Sequence, residues 1–138
     1  MKLLKDILYK VNLDLIHGDR DIRIPHLCFD SREVEKGSLF IALNGTLSDG
    51  HDFIEMAINN GASAIVCEKI PLNINETVVY VLVKDSSKAL GHISANFYDN
   101  PSEKIKLVGV TGTNGKTTVA TLLHSLYQSL GHKSGLLS

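Results

Sequence analysis

The sequence predicts an α/β fold. A small mixed α/β unit is expected over residues 1–103, followed over residues 104–138 by the first strand, glycine-rich turn and helix of a second unit. Three observations carry this. Short β-branched apolar runs alternate with segments whose apolar residues recur at helical spacing. Asn100-Pro101-Ser102 interrupts the chain at a point where a helix cannot continue. Beyond it, a β-branched run ends in a cluster of glycines that opens a helical pattern.

Leu3, Leu4, Ile7, Leu8 and Val11 recur at helical spacing, so residues 2–11 are expected to form an amphipathic helix. Gly18-Asp19 is a turn. Ile22–Ile24 and Leu27–Asp30 are expected to be short strands, with Pro25 confining the first to an edge or a break. After a turn at Lys36-Gly37, Ser38–Leu43 is a buried strand centred on Phe40 and Ile41. Gly45–Gly50 is a polar loop. Asp52, with Glu55 three residues on, matches a capping box for a helix that buries Phe53, Ile54, Ala57 and Ile58. Gly61 ends that helix in a left-handed conformation. Ala64–Cys67 and Thr77–Val83 are strands on either side of the polar loop Pro71–Glu76. Asp85 or Ser86 caps a helix running to about Tyr98.

In the second unit, Lys106–Thr111 is the expected strand and Gly112–Gly115 the turn. The helix that follows carries Val119, Leu122, Leu123, Leu126 and Leu130 on one face, expected to be core, with Gly131 as its stop. Gly135-Leu136-Leu137 starts a further strand. A nucleotide-binding sheet needs several βα units to cover both its faces, so the second unit is expected to be truncated and the chain to be an N-terminal fragment.

The 138 residues carry 14 basic and 15 acidic side chains, for a formal charge of −1, and are 43% hydrophobic. This is the composition of a packed globular protein, not a disordered one. It offers no electrostatic footprint for duplex nucleic acid or an anionic membrane. No apolar run approaches the ~20 residues that span a bilayer, and the N-terminus lacks a signal-peptide core. A cytoplasmic location is expected, with no nucleic-acid or membrane partner. Cys28 and Cys67 lie in strand-like apolar stretches and are expected to be buried thiols. The histidines show no metal-ligand spacing.

The sharpest signal is Gly109-Val110-Thr111-Gly112-Thr113-Asn114-Gly115-Lys116-Thr117-Thr118. A strand, a glycine turn, Lys-Thr and a helix stand in the order that a phosphate cradle requires. The glycines let backbone N–H groups turn inward, and the helix N-terminus adds about half a positive charge. Lys116 supplies a full charge for phosphate, worth about 4 kcal/mol at ~4 Å and an effective dielectric of ~20, before desolvation. Thr117 offers a hydroxyl to Mg²⁺. The common pattern wants a glycine where Val110 stands; here the glycines fall at Gly109 and Gly112.

This wording resembles the ATP-binding motif of the Mur ligases, which build the peptide stem of bacterial cell-wall precursors, and the displaced glycine is normal in that family. The first half agrees independently. Asp30-Ser31-Arg32, Gly37–Leu43, Gly45, Asp49-Gly50-His51, Phe53-Ile54, Ala57-Ile58 and Gly61-Ala62 follow the first-domain pattern of the members that add the third residue and the terminal dipeptide. Thr113, together with the run Phe97–Ser102, favours the third-residue enzyme.

The resemblance implies a UDP-sugar substrate-binding domain over 1–103 and the start of a central ATP-binding domain over 104–138. The activity implied is ATP-dependent amide-bond ligation in peptidoglycan precursor synthesis. Diaminopimelate or lysine would be joined to UDP-N-acetylmuramoyl-L-alanyl-D-glutamate through an acyl phosphate, by a protein that is a monomer at full length, with the fragment alone inactive. It implies that Gly112, Thr113, Asn114, Gly115, Lys116, Thr117 and Thr118 bind ATP, that Lys116 is catalytic and that Thr117 holds Mg²⁺. It implies that Phe29, Ser31, Thr46, Leu47 and Ser48 hold the UDP end of the substrate.

Asp30 has a simpler structural role in capping its turn, with Arg32 pairing nearby, and Asp49-Gly50-His51 in fixing the loop before a helix. The alternatives are the dipeptide-adding ligase, a folylpolyglutamate synthetase and a non-catalytic nucleotide-sugar binding module. The folate enzyme is disfavoured because residues 1–105 precede the loop. The binding module is disfavoured because it would not need Lys116-Thr117.

Overall fold

A computed structural model describes residues 1–45 and 48–137. The chain divides into two compact units, Met1–Lys104 and Ile105–Ser138.

In the first unit, β1 (Lys2–Leu3) leads into α1 (Leu4–Ile7). There follow β2 (Leu13–His17), β3 (Arg23–Ile24), β4 (Leu27–Cys28) and β5 (Leu39–Ile41), then α2 (Ile54–Asn59), β6 (Ala64–Cys67), β7 (Val79–Val83) and α3 (Ser86–Phe97). Single turns of 3₁₀ helix lie at Ser31–Glu33, Gly50–Phe53 and Pro101–Lys104. The main sheet has the order β2-β7-β6-β5-β4, and β4 through β7 run parallel. Parallel strands are covered on both faces, which is why β6 is buried at all four residues. Leu39, Ile41, Ala64, Val66, Val79, Val81 and Val83 point to the face that packs α1 and α3. Phe40, Ile65, Cys67 and Tyr80 point to the opposite face, with Ile54 and Ala57 of α2. Tyr80 and Phe40 are the largest fully buried side chains, each worth roughly 1.5–3 kcal/mol of burial.

Several elements differ from expectation. The helix expected over 2–11 is a two-residue strand followed by a single helical turn. Leu3 is extended (φ −71°, ψ 142°) and Lys10 has φ 58°. Lys2 and Leu3 instead pair with Ile24 and Arg23 of β3. The apolar spacing still reports burial, since Leu4, Ile7, Leu8 and Val11 are all core. The antiparallel edge strand β2, which pairs with β7 from Leu13↔Val83 to His17↔Tyr80, has no clear signal in the sequence. Asp52 does not cap α2. Asp49 takes the capping position one turn earlier by accepting from the His51 N–H, and Phe53 precedes α2 with no side-chain cap. Asp85 caps α3 by accepting from the Lys88 N–H at 2.9 Å. Gly61, at φ +108°, lies against the Lys36 backbone, where any Cβ would sit 3.0 Å from the Lys36 Cα.

In the second unit, α4 (Lys116–Ser129) begins at Gly115 (φ 75°) and closes with Gly131 at φ 82°. The Gly131 and His132 N–H groups donate to Gln128 O and Tyr127 O, the two bonds of a Schellman motif. Neither Lys106–Thr111 nor Gly135–Leu137 forms a strand. A strand exists only in a hydrogen-bonded ladder, and no residue described in this unit pairs with either segment. For the same reason most of the stripe expected to be core is exposed: Val119, Leu122, Leu126 and Leu130 face solvent and only Leu123 is half-buried, because no sheet face covers the stripe within the unit.

Candidate functional site

In the first unit a cavity of about 450 Å³ lies where the chain leaves the carboxyl ends of β4 and β5. In parallel α/β sheets this is where ligands bind, because the loops there leave the sheet together while the helices take the chain back. Phe29, Asp30, Ser31 and Arg32 follow β4; Leu43, Gly45 and Ser48 follow β5. Phe40, Gly50, Phe53 and Met56 complete the wall.

The sequence-predicted residues Phe29, Ser31 and Ser48 therefore share one cavity. Thr46 and Leu47 lie outside the described residues. Phe29 is 64% exposed, an apolar ring presented at the cavity rather than packed beneath it. Ser31 is 7% exposed. Its carbonyl accepts from Asn60 Nδ2 at 2.9 Å and its hydroxyl donates to Met56 Sδ at 3.3 Å, so the end of α2 holds it from both sides. Asp30 Oδ1 accepts from the Arg32 N–H at 3.0 Å and from Arg32 Nε at 2.9 Å, and Oδ2 accepts from Arg32 Nη2 at 2.6 Å. The guanidinium holds the Asp30 carboxyl down to about 2. Asp30 and Arg32 thus cap and brace the turn that presents Ser31.

On the other wall the Gly45 N–H donates to Ser48 O and the Gly50 N–H to Leu43 O. Asn44 and Asp49 form an antiparallel bridge. Asp49 accepts from the His51 N–H at 3.0 Å, and that bond, with one from the His51 ring, lowers its carboxyl from the ordinary range. Sequence reasoning missed Phe40, Leu43, Phe53 and Met56 as lining. Their apolar character signals core, and only the strand order turns them toward this opening.

A second hollow, of about 280 Å³, lies against Lys2, Lys5, Tyr9, Asn96 and Asp99. Its polar groups serve one another: Lys2 pairs with Asp99, Lys5 with Asp21, and Asn96 Nδ2 donates to Ile7 O and Tyr9 O. That leaves the larger cavity as the candidate ligand site in this unit.

In the second unit, Gly112 through Thr118 surround the start of α4. Gly115 takes a left-handed conformation that opens the helix without a side-chain cap. The first N–H groups of α4 therefore have no partner from a capping side chain. Lys116 Nζ donates to Gly112 O at 2.6 Å, which folds the lysine back across the turn. A flexible ammonium, two threonine hydroxyls and free helix N–H groups suit a polyphosphate anion. For a divalent cation the segment offers only the Thr117 hydroxyl. No group of three His, Cys, Asp or Glu side chains fit to hold a metal occurs among the described residues. Such a donor set suits a magnesium ion held mainly by phosphate oxygens and water. Cys28 and Cys67 are buried free thiols of the first unit that do not line the cavity, and burial pushes Cys67 up to about 11. No helix among the described residues is long and apolar enough to cross a membrane.

Comparison with known proteins adds an independent line. Residues 23–98 match the family model described as Mur ligase family, catalytic domain. The UDP-N-acetylmuramoyl-L-alanyl-D-glutamate--2,6-diaminopimelate ligase of Cytophaga hutchinsonii is 55% identical over 136 residues, which is 98% of this chain and 28% of that protein. The ligase of the same name from Bacteroides fragilis is 50% identical over 135 residues, again 98% of this chain and 28% of that protein. The chain thus spans 28% of the length of these curated relatives.

Among solved structures, the UDP-N-acetylmuramoylalanyl-D-glutamyl-2,6-diaminopimelate--D-alanyl-D-alanyl ligase from Acinetobacter baumannii superposes with a TM-score of 0.66 and 27% identity. That match covers 93% of this chain and 28% of the other. The MurF ligase from Thermotoga maritima in complex with ADP gives a TM-score of 0.55 at 33% identity, over 80% of this chain and 25% of that one. The fold, the phosphate-loop wording and a family model matched over more than half the chain agree: this chain belongs to the Mur ligase family.

Proposed function

We propose that the chain is the amino-terminal portion of an ATP-dependent ligase of peptidoglycan precursor synthesis. It would add the third amino acid, diaminopimelate, to UDP-N-acetylmuramoyl-L-alanyl-D-glutamate in the cytoplasm. The observation that carries the substrate half of this reading is the convergence of Phe29, Ser31 and Ser48 on one cavity at the carboxyl ends of β4 and β5. A ring and two hydroxyls suit the flat face of uracil and the polar edges of a nucleoside diphosphate. Diaminopimelate is favoured over lysine, and the third residue over the dipeptide, by the names of the relatives that are 50–55% identical.

The chemistry follows from the groups available. The γ-phosphoryl group of ATP passes to a carboxylate oxygen of the substrate, breaking the bond to ADP. The incoming amine attacks the resulting acyl phosphate, phosphate leaves with the C–O electron pair, and the amine gives up a proton. In this reading Gly112–Thr118 hold ATP. Lys116 leaves its contact with Gly112 O to meet the β- and γ-phosphates, where its charge offsets that on the transferring group. Thr117 Oγ1 would help hold Mg²⁺, which would supply further charge neutralisation when bound.

Titrating the labelled 138-residue chain with UDP-N-acetylmuramoyl-L-alanyl-D-glutamate should shift the amides of Phe29, Ser31 and Ser48, and Ser31→Ala should weaken that response. No shift at millimolar ligand, or shifts confined to Gly112–Thr118, would overturn the assignment of the cavity. In the complete ligase, Lys116→Ala should abolish ligation with the fold retained, because Lys116 is exposed and its bond to Gly112 O lies at the surface.

A further inference from the structure

His51 stands just beyond the cavity wall, and neither the phosphate loop nor the uridine contacts use it. Its side chain is only 13% exposed. The ring makes two bonds of opposite sense: Nδ1 lies 2.5 Å from Asp49 Oδ1, and Nε2 lies 2.8 Å from the Glu68 backbone nitrogen. The Glu68 N–H can only donate, so Nε2 must carry a lone pair. Asp49 is a carboxylate, so Nδ1 must carry the proton. One tautomer of the neutral imidazole satisfies both.

The chain of bonds continues. Glu68 Oε1 accepts from the Ser86 N–H and from the Ser86 hydroxyl, both at 2.8 Å, and Ser86 is fully buried at the first turn of α3. Asp49, His51, Glu68 and Ser86 thus link the segment after β5 to the carboxyl end of β6 and to the start of α3 beyond β7. Asp49 is also one partner of the bridge to Asn44, between which the cavity residues Gly45 and Ser48 are held.

We propose that His51, as the Nδ1–H tautomer, is a positioning residue for the ligand cavity: it ties the Asn44–Asp49 bridge to the end of β6 and so sets where Gly45 and Ser48 stand along the wall. The consequence for ligand binding rests on the uridine-diphosphate reading given above; the bond to Glu68 does not.

The test uses the 138-residue chain and two variants that divide the two bonds. His51→Asn keeps a donor near Asp49 but falls short of Glu68. His51→Gln carries an amide oxygen to the Nε2 position, where it can accept from Glu68. With ¹⁵N-labelled histidine, Nε2 should show the unprotonated resonance and Nδ1 the protonated one. His51→Asn should speed exchange of the Glu68 and Gly50 amides about tenfold and weaken binding of UDP-N-acetylmuramoyl-L-alanyl-D-glutamate by a similar factor, the worth of one net hydrogen bond. His51→Gln should restore both to within about threefold of the parent chain.

The β6–β7 ladder amides serve as the folding control. If His51→Asn disturbs them, the ring resonances and His51→Gln decide the matter. A protonated Nε2, or unaltered Glu68 and Gly50 exchange in a folded His51→Asn, would overturn the positioning role. Absence of ligand binding by the parent chain would remove the uridine reading instead, while the exchange data would still decide whether His51 holds the loop.

Discussion

Substituting Gly50 by alanine isolates how tightly the cavity loop is closed. Gly50 does not have a positive φ, so alanine meets no backbone penalty there. What it meets is crowding. A Cβ at this position would stand 2.6 Å from Leu43 O, 2.7 Å from Leu43 N and 3.2 Å from Ala42 C. Ordinary contacts between such atoms need roughly 3.5 Å. All three atoms are backbone of the segment leaving β5, so no side-chain rotation relieves the clash. The Leu43 carbonyl must move, and with it the 2.8 Å bond that it accepts from the Gly50 N–H.

Overpacking of this kind costs about 1–3 kcal/mol, and the weakened hydrogen bond adds about 1 kcal/mol. We expect a loss of about 2–4 kcal/mol, or a fall in Tm on the order of 10–30 °C for a unit of this size. Gly91 supplies the opposite case. It lies inside α3, and a Cβ there has nothing within 4 Å. Gly91→Ala should therefore stabilise by about 0.5–1 kcal/mol through helix propensity alone. Urea and thermal unfolding of the two variants beside the parent chain would read both signs. A Gly50→Ala protein within about 0.5 kcal/mol of the parent would refute the argument that the loop is closed on backbone with no room to spare.

Acid should weaken the first unit in a defined range. Asp30, Asp49, Asp85 and Asp99 are all held below their ordinary range, chiefly by bonds from Arg32, His51, Lys88 and Lys2 respectively. Folded values below unfolded ones mean that the contribution is fully present above about pH 4 and is lost as pH falls toward about 2, the value for Asp30. Urea midpoints measured from pH 6 downward should decline in that window, and Asp30→Asn should flatten the decline. Cys28 and Cys67 should titrate as two free thiols after denaturation without reductant; a count of zero in monomeric protein would contradict the buried-thiol assignment. In the native chain at pH 8, Cys67 should react with a thiol reagent far more slowly than after unfolding, because burial pushes its thiol up to about 11.

The sequence by itself determined the features whose cause is local. Capping of α3 by Asp85 and the stops at Gly61 and Gly131 depend on groups within a few residues of one another, and they were legible from residue type and spacing. The same holds for the glycine turn that hands Lys116 to the start of α4. β6 and β7 were legible too, because strands buried on both faces read as unbroken apolar runs. Tertiary structure decided the rest. The spacing of Leu3 through Val11 specifies which side chains are buried, and pairing with β3 then drew Lys2–Leu3 into a strand that the periodicity alone assigned to a helix. β2 is half-exposed and broken by Asp14, so only its ladder with β7 defines it. Asp49 and Asp52 both suit a cap, and the choice fell to the one that the bridge to Asn44 holds in an extended conformation. The cavity itself joins segments after β4 and β5 with the face of α2. The bond from Glu68 to His51 spans 17 positions of sequence. Such contacts come from the order in which parallel strands lie side by side, and no local periodicity encodes that order.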